Sequence, residues 1–221
     1  MRKTVFCVLM MTLLLTGCTV GGSRGDVTPD ELALRIRNEY QNASCCSGTA
    51  VVTVDYGLRV YDFTLDFVWR REGETLLTVT DPGEIAGLTA VVDAGESRLE
   101  FQGVSLGTGD LTGEGLTPLD YLPAVMAYIA DGYMVECVFE MVGEREMLRI
   151  LYRDPEKQPQ EGLECTLWFD KAAHTLMRAE MAYQGQSVLH SGFVSFTLGE
   201  DADEMAEDED LDGNLSGESG T

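Results

Sequence analysis

Histidine is almost missing from this chain of 221 residues, and so are the spacings that histidine chemistry needs. His174 and His190 stand far apart, with no second histidine or acid beside either at metal-ligand spacing, so no zinc or hydrolase motif is legible. His190 falls in the register of Val188, Val194, Phe196 and Leu198 if no bulge intervenes, and it reads as a satisfied, partly buried histidine. Missing as well are a G-x-S-x-G elbow, a phosphate-binding glycine loop and a dinucleotide fingerprint. No carboxylate pair suited to acid–base catalysis stands out among 38 acids. The sequence therefore predicts neither an enzyme nor a cofactor. Basic residues are scarce too: 15 Lys+Arg face 38 Asp+Glu, a net charge of −23. Such a chain is repelled by nucleic acid and by anionic lipid head groups. A hydrophobic fraction of 44% excludes a disordered chain, and the lack of repeated long apolar runs excludes a multi-span membrane protein.

What is present begins with an export signal. Arg2 and Lys3 precede an apolar run from Val5 to Leu15 that is too short to span a bilayer. It ends in Leu15-Thr16-Gly17-Cys18, which resembles the bacterial lipobox and marks Cys18 as the lipidated first residue of the mature chain. Two acyl chains, palmitate or similar, give stable attachment where one gives only marginal binding. Residues 1–17 are thus read as signal peptide and 18–27, Gly/Ser-rich and without periodicity, as a flexible tether. The expected location is the extracytoplasmic face of the bacterial cell membrane.

One domain is expected over 28–198. Thr28-Pro29-Asp30-Glu31 is a capping box with proline at the first helical position, and Leu32, Ile36 and Tyr40 follow at helical spacing, predicting a helix to about Ala43. Thr117-Pro118-Leu119-Asp120 repeats the signal, with Leu119, Leu122, Met126 and Ile129 on one side and a stop at Asp131-Gly132. Most of the rest alternates with period two. In Arg59 to Arg70, Tyr61, Phe63, Leu65, Phe67 and Trp69 share one face and Val60, Asp62, Thr64, Asp66, Val68 and Arg70 the other. The predicted order is helix, about five strands, helix, about five strands. A long antiparallel meander with one apolar face must curl around something, and the two helices are the available filling.

The lipobox, this order and the phrases DPGEIAGLTA, GLTPLDYLP and AEMAYQGQSVLHSGFVSF resemble the Lol-type lipoprotein carrier and sorting superfamily, in particular its lipid-anchored branch in spore-forming Gram-positive bacteria, related to a germination lipoprotein. The resemblance implies a mainly β (α+β) fold, an incomplete antiparallel β-barrel of about ten strands with two helices covering the concave face. By implication Tyr61, Phe63, Leu65, Phe67 and Trp69 line a groove covered by Leu122, Met126 and Ile129, where an apolar ligand such as an acyl chain would bind. The same resemblance supports a second expectation, a non-enzymatic module that holds or activates a cell-envelope enzyme such as a peptidoglycan amidase. Exposed strand edges would then pair with that partner, or with a second copy in a homodimer.

Of six cysteines, Cys7 leaves with the signal and Cys18 is lipidated. Cys45, Cys46, Cys137 and Cys165 allow three pairings, with buried free thiols slightly preferred; Cys137 shares a face with Val135, Phe139 and Met141, and Cys165 with Leu163 and Leu167. Residues 199–221 are expected to form a disordered acidic tail, since Glu200 to Thr221 carry ten acids and no base. Within it Asp208, Asp210 and Asp212 imitate half a calcium loop, a weak metal expectation, because the position of the closing glutamate falls on Ser219.

Overall fold

The computed structural model describes residues 27–93, 97–109 and 116–199. The export signal, Cys18, the tether up to Asp26 and the acidic tail with Asp208, Asp210 and Asp212 lie outside the described residues. Val27, the last residue assigned to the tether, packs against the core.

The chain opens with α1 (Pro29–Asn42), whose capping box forms as the sequence predicts. The Glu31 amide donates to the Thr28 hydroxyl at 3.3 Å, and the Thr28 amide donates to the Glu31 carboxylate at 3.1 Å. Those bonds from Thr28 hold the Glu31 carboxyl below its ordinary range. Leu32, Ala33, Ile36 and Tyr40 form the buried stripe.

Six strands follow: β1 (Cys45–Asp55), β2 (Val60–Arg70), β3 (Thr75–Asp81), β4 (Thr89–Val92), β5 (Ser97–Phe101) and β6 (Val104–Gly109). Then come α2 (Tyr121–Asp131) and five more strands, β7 (Met134–Val142), β8 (Arg145–Arg153), β9 (Leu163–Asp170), β10 (Leu176–Tyr183) and β11 (Gln186–Gly199). All eleven join one antiparallel sheet in the order β6-β5-β4-β3-β2-β1-β11-β10-β9-β8-β7. The sheet is open, with β6 and β7 as its edges, and it is not closed into a barrel. The fold class expected from the sequence is the one observed, with eleven strands where about ten were counted. Among the described residues no helix is long and apolar enough to cross a membrane.

Three local departures from strict alternation have physical causes. α2 starts at Tyr121, not at Thr117: Thr117 and Asp120 exchange hydrogen bonds of 2.9 and 3.3 Å and close a separate turn before the helix. In β11, bulges relative to β10 and β1 shift the register twice, with Val194 as the extra residue between Phe193 and Ser195 in the pairing with β1. Leu189, Ser191 and Phe193 therefore face inward with Phe196 and Leu198, while Val194 is 72% exposed. His190 does not share the inner register of Phe196 and Leu198, because the bulge that the sequence reading set aside does intervene. In β7, the register slips between Met134 and Glu136, so Val135 is left exposed while Cys137 and Phe139 pack on the core. Met141 is exposed near the strand end.

The inner face is filled from both sides. Phe67, Phe193 and Phe196 lie within 5.4–5.8 Å of one another by ring centroids, and Tyr40 of α1 joins Phe196 at 5.9 Å and Phe169 at 5.6 Å. Gly48 is required at this crossing, because a Cβ there would lie 2.1 Å from the Ser195 carbonyl oxygen.

Candidate functional site

The residues expected to line a groove lie along one strand in graded exposure. Opposite β2, the inward residues of β1 are Val54 against Tyr61, Val52 against Phe63, Ala50 against Leu65, Gly48 against Phe67 and Cys46 against Trp69. Leu65 and Phe67 are buried at 7% and 2% exposure, Phe63 and Trp69 are half-buried against the core, and Tyr61 is exposed at 39%. The three helical candidates, Leu122, Met126 and Ile129, are all buried in the same cluster, so α2 covers the middle of the inner face. One end of that face therefore emerges at the surface, at the tip of the β1–β2 hairpin.

That tip carries apolar residues the sequence reading did not single out. Tyr56, Leu58 and Val60 are exposed, Leu58 almost entirely. Tyr56 and Tyr61 meet edge to face at 6.4 Å, and Tyr61 stacks on Phe63 at 6.4 Å with an interplanar angle of 12°. Partial burial, with the Asp120 carboxylate of the turn before α2 as a smaller cause, pushes the Tyr56 hydroxyl above its ordinary range. An aromatic ladder thus runs from the hairpin tip into the core beside the start of α2. Its only trace in the sequence is that Tyr56 continues the aromatic run of β2 across a Gly57 turn.

The polar interior is structural in kind. The Tyr121 hydroxyl pairs with Ser191 Oγ at 2.7 Å, fastening the first residue of α2 to β11. The Tyr40 hydroxyl accepts from the Leu176 amide at 3.0 Å and donates to the His174 carbonyl at 3.2 Å, and His174 Nδ1 meets the Glu39 carboxylate at 2.8 Å. The pairing of His174 with an acid 135 residues away could not be seen in sequence. Cys45, Cys46 and Cys165 are buried free thiols and Cys137 is a half-buried one. Burial raises the Cys46 and Cys165 thiols far above their ordinary range and pushes Cys137 up to about 11. Cys46, Cys137 and Cys165 are therefore held as protonated thiols at neutral pH. Among the described residues no three His, Cys, Asp or Glu side chains gather as a metal site.

A second feature lies where β1 and β2 meet the end of α1. An open pocket of about 390 Å³ is bounded by Gln41, Asn42, Ser44, Arg70, Arg71 and Glu72. Arg71 closes α1 by donating to the carbonyls of Ala43 at 3.0 Å and Tyr40 at 2.7 Å, with its guanidinium over Trp69.

No family model matches the chain, and no curated protein matches it in sequence. Several solved structures are similar in chain path. The lipoprotein LprF from Mycobacterium bovis is 14% identical, with 76% of this chain and 92% of that one covered at a TM-score of 0.44. A LolA superfamily protein from Nitrosomonas europaea is 12% identical, with 78% and 96% covered at a TM-score of 0.37. A chain from the complex of the CwlD amidase with the GerS lipoprotein of Clostridioides difficile is 13% identical, with 78% and 96% covered at a TM-score of 0.40. The architecture of this chain is one open antiparallel sheet of eleven strands with two helices packed on its inner face, the mainly β fold class expected from the sequence.

Proposed function

We propose that this protein is a membrane-tethered extracytoplasmic lipoprotein that binds an apolar ligand, an acyl chain or the acylated end of a lipoprotein, at the inner face of its half-barrel. The observation that supports this reading is the graded inner face of β2: exposed Tyr61, half-buried Phe63, then buried Leu65 and Phe67. A continuous apolar path from surface to core is what an acyl chain needs, because each buried CH₂ contributes about 0.8 kcal/mol. The tip residues Tyr56, Leu58 and Val60 would form the mouth, and α2, held by Tyr121 to Ser191, would be the element that yields as the chain enters.

A second reading rests on a different observation. All six residues of edge strand β6 are exposed, including Val104 at 69% and Leu106 at 63%. A free strand edge flanked by apolar side chains suits pairing with a strand of an envelope protein, an amidase for example, or with a second copy of this chain.

Titration of a fluorescent fatty acyl probe separates the two readings. Phe63→Ala should weaken probe binding several-fold while leaving the fold intact, and Leu65→Ala should weaken it with a stability loss below the roughly 2–5 kcal/mol of a filled core site. If the wild-type protein binds no probe and Leu65→Ala is destabilising at the full core value, the groove reading fails and the partner-binding module takes its place.

A further inference from the structure

The most exposed large apolar side chain among the described residues is Leu58, at 99%, and it stands at the apex of the β1–β2 turn. Tyr56 at 53%, Val60 at 55% and Tyr61 at 39% surround it, so four large apolar side chains emerge within six residues. Single exposed apolar residues are ordinary, whereas a contiguous group marks a contact with something other than water. The turn is preformed: the Tyr56 amide donates to the Arg59 carbonyl and the Leu58 amide to the Tyr56 carbonyl, both at 3.0 Å, and Gly57 takes the left-handed φ of +79°. A contact made there costs little ordering of the backbone.

Charge at this apex differs from that of the molecule as a whole. Tyr56 to Tyr61 contain one base, Arg59, and no acid, in a chain of net charge −23. The acids on either side are turned back onto the hairpin: Asp55 accepts from the Gly57 amide at 2.7 Å, and Asp62 accepts from the Thr53 hydroxyl at 2.6 Å. Arg59 Nη1 donates to the Tyr61 hydroxyl at 3.4 Å, which leaves most of the five guanidinium N–H donors for an outside acceptor. An apolar apex, tyrosines just behind it and a guanidinium at a tyrosine hydroxyl repeat in order the acyl, interfacial and phosphate layers of a lipid leaflet. Leucine partitions into the first, tyrosine prefers the second and arginine reaches the third with its charge while its stem stays apolar. We propose that the β1–β2 hairpin tip seats in the head-group boundary of the leaflet that carries the anchor, with Leu58 among the acyl chains and Arg59 at the phosphates. The proposal rests on the membrane-tethered reading above, in which the eight residues between Cys18 and Val27 keep the folded part within about 30 Å of the anchor. Four side chains are too little apolar area to hold so acidic a chain by themselves, so the tip orients what the anchor holds. Seated this way, it turns the exposed end of the Tyr61, Phe63 and Leu65 face toward the lipid, and an acyl chain passes between leaflet and protein without crossing water.

The test uses the whole mature lipidated chain in phosphatidylcholine vesicles, with Trp69 and Trp168 as a common background of emission. Leu58→Trp places a reporter at the apex, and Leu34→Trp places one on the outward side of α1, where Leu34 is 58% exposed. With phosphatidylcholine brominated in its acyl chains, the added emission at position 58 should be quenched several-fold more than that at position 34. Because tryptophan itself seeks the interface, a second comparison tests Leu58 directly: Val60→Trp should be quenched beside the native leucine and released from quenching in a Leu58→Asp background. Equal quenching at 58 and 34, in vesicles that carry the protein with them on flotation, overturns the membrane contact in favour of a protein partner and leaves the anchor standing. Quenching at position 60 that persists in the Leu58→Asp background also overturns the proposal. A protein that fails to float with the vesicles overturns anchor and tip together.

Discussion

Tyr40 illustrates how a single buried hydroxyl can join distant parts of this chain: it is 2% exposed, bonds to His174 in the turn before β10 and to Leu176 at the start of that strand, and lies in the last turn of a helix whose final carbonyls are held by Arg71. Burial pushes its hydroxyl far above the ordinary tyrosine range, as it does for Tyr121 and Tyr152, and it raises the Cys46 and Cys165 thiols in the same way. These groups are neutral when protonated, and the fold holds their protons at pH values where the unfolded chain releases them. Above about pH 9, where unfolded thiols ionise, and more steeply above about pH 10, where tyrosines do, the folded state binds more protons than the unfolded one. Stability must then fall as pH rises. The melting temperature should be flat from neutral pH to about 8.5 and then decline steadily toward pH 11; a flat profile through pH 11 would show that these groups are not sealed from water.

Among elements, the two helices depend on each other through their ends. The last carbonyls of α2 have no partner within the helix, and α1 supplies them: Arg37 Nε donates to Ile129 O at 3.1 Å, its Nη2 donates to the Gly132 carbonyl, and Gln41 donates to Ala130 O at 2.7 Å. The same guanidinium lies over the Tyr152 ring at 5.9 Å. Hydrogen bonds from a charged donor to half-buried acceptors are worth about 1.5–3 kcal/mol. Arg37→Ala should lose stability in that range, and Arg37→Lys should recover little, because a single ammonium cannot reproduce the fork. Chemical denaturation of the three proteins measures this, and full recovery by lysine would mean that charge alone, not the fork, joins the helices. In sequence, Arg37 is one more polar residue on the solvent side of an amphipathic helix, so this role was not legible there.

At the scale of the whole molecule, charge and anchor act together. A chain with net charge −23 would not adhere to an anionic bilayer by itself, so in the proposed function attachment falls to the lipidated Cys18. Cys18→Ala should move the protein into the soluble fraction once its signal is removed. A variant that still sediments with membranes after processing would overturn the anchor. Val27 packs against the core just before α1, so the tether would place the folded part close to the membrane surface. Eight residues, Thr19 to Asp26, separate Cys18 from Val27 and could span at most about 30 Å.

The first helix, the strands on either side of α2 and the apolar face of β2 were legible in sequence because each depends on local periodicity and capping, and those signals need no distant partner. The same holds for the fold class, since a long run of half-apolar strands with two helices leaves few ways to bury one face. Tertiary structure decided what periodicity cannot encode. It decided where Val194 and Val135 bulge, and so that Phe193 and Phe196 both turn inward while His190 does not. The turn that delays α2 to Tyr121 likewise arises from side chains bonding to backbone, which alternation does not register. Only the pairing of β1 with both β2 and β11 sets Arg70 and Gly199, 129 residues apart in the chain, on either side of Cys45. Sequence determines which residues want to be buried; the packing of the open sheet against its two helices determines which of them stay at the surface, as Tyr61 does.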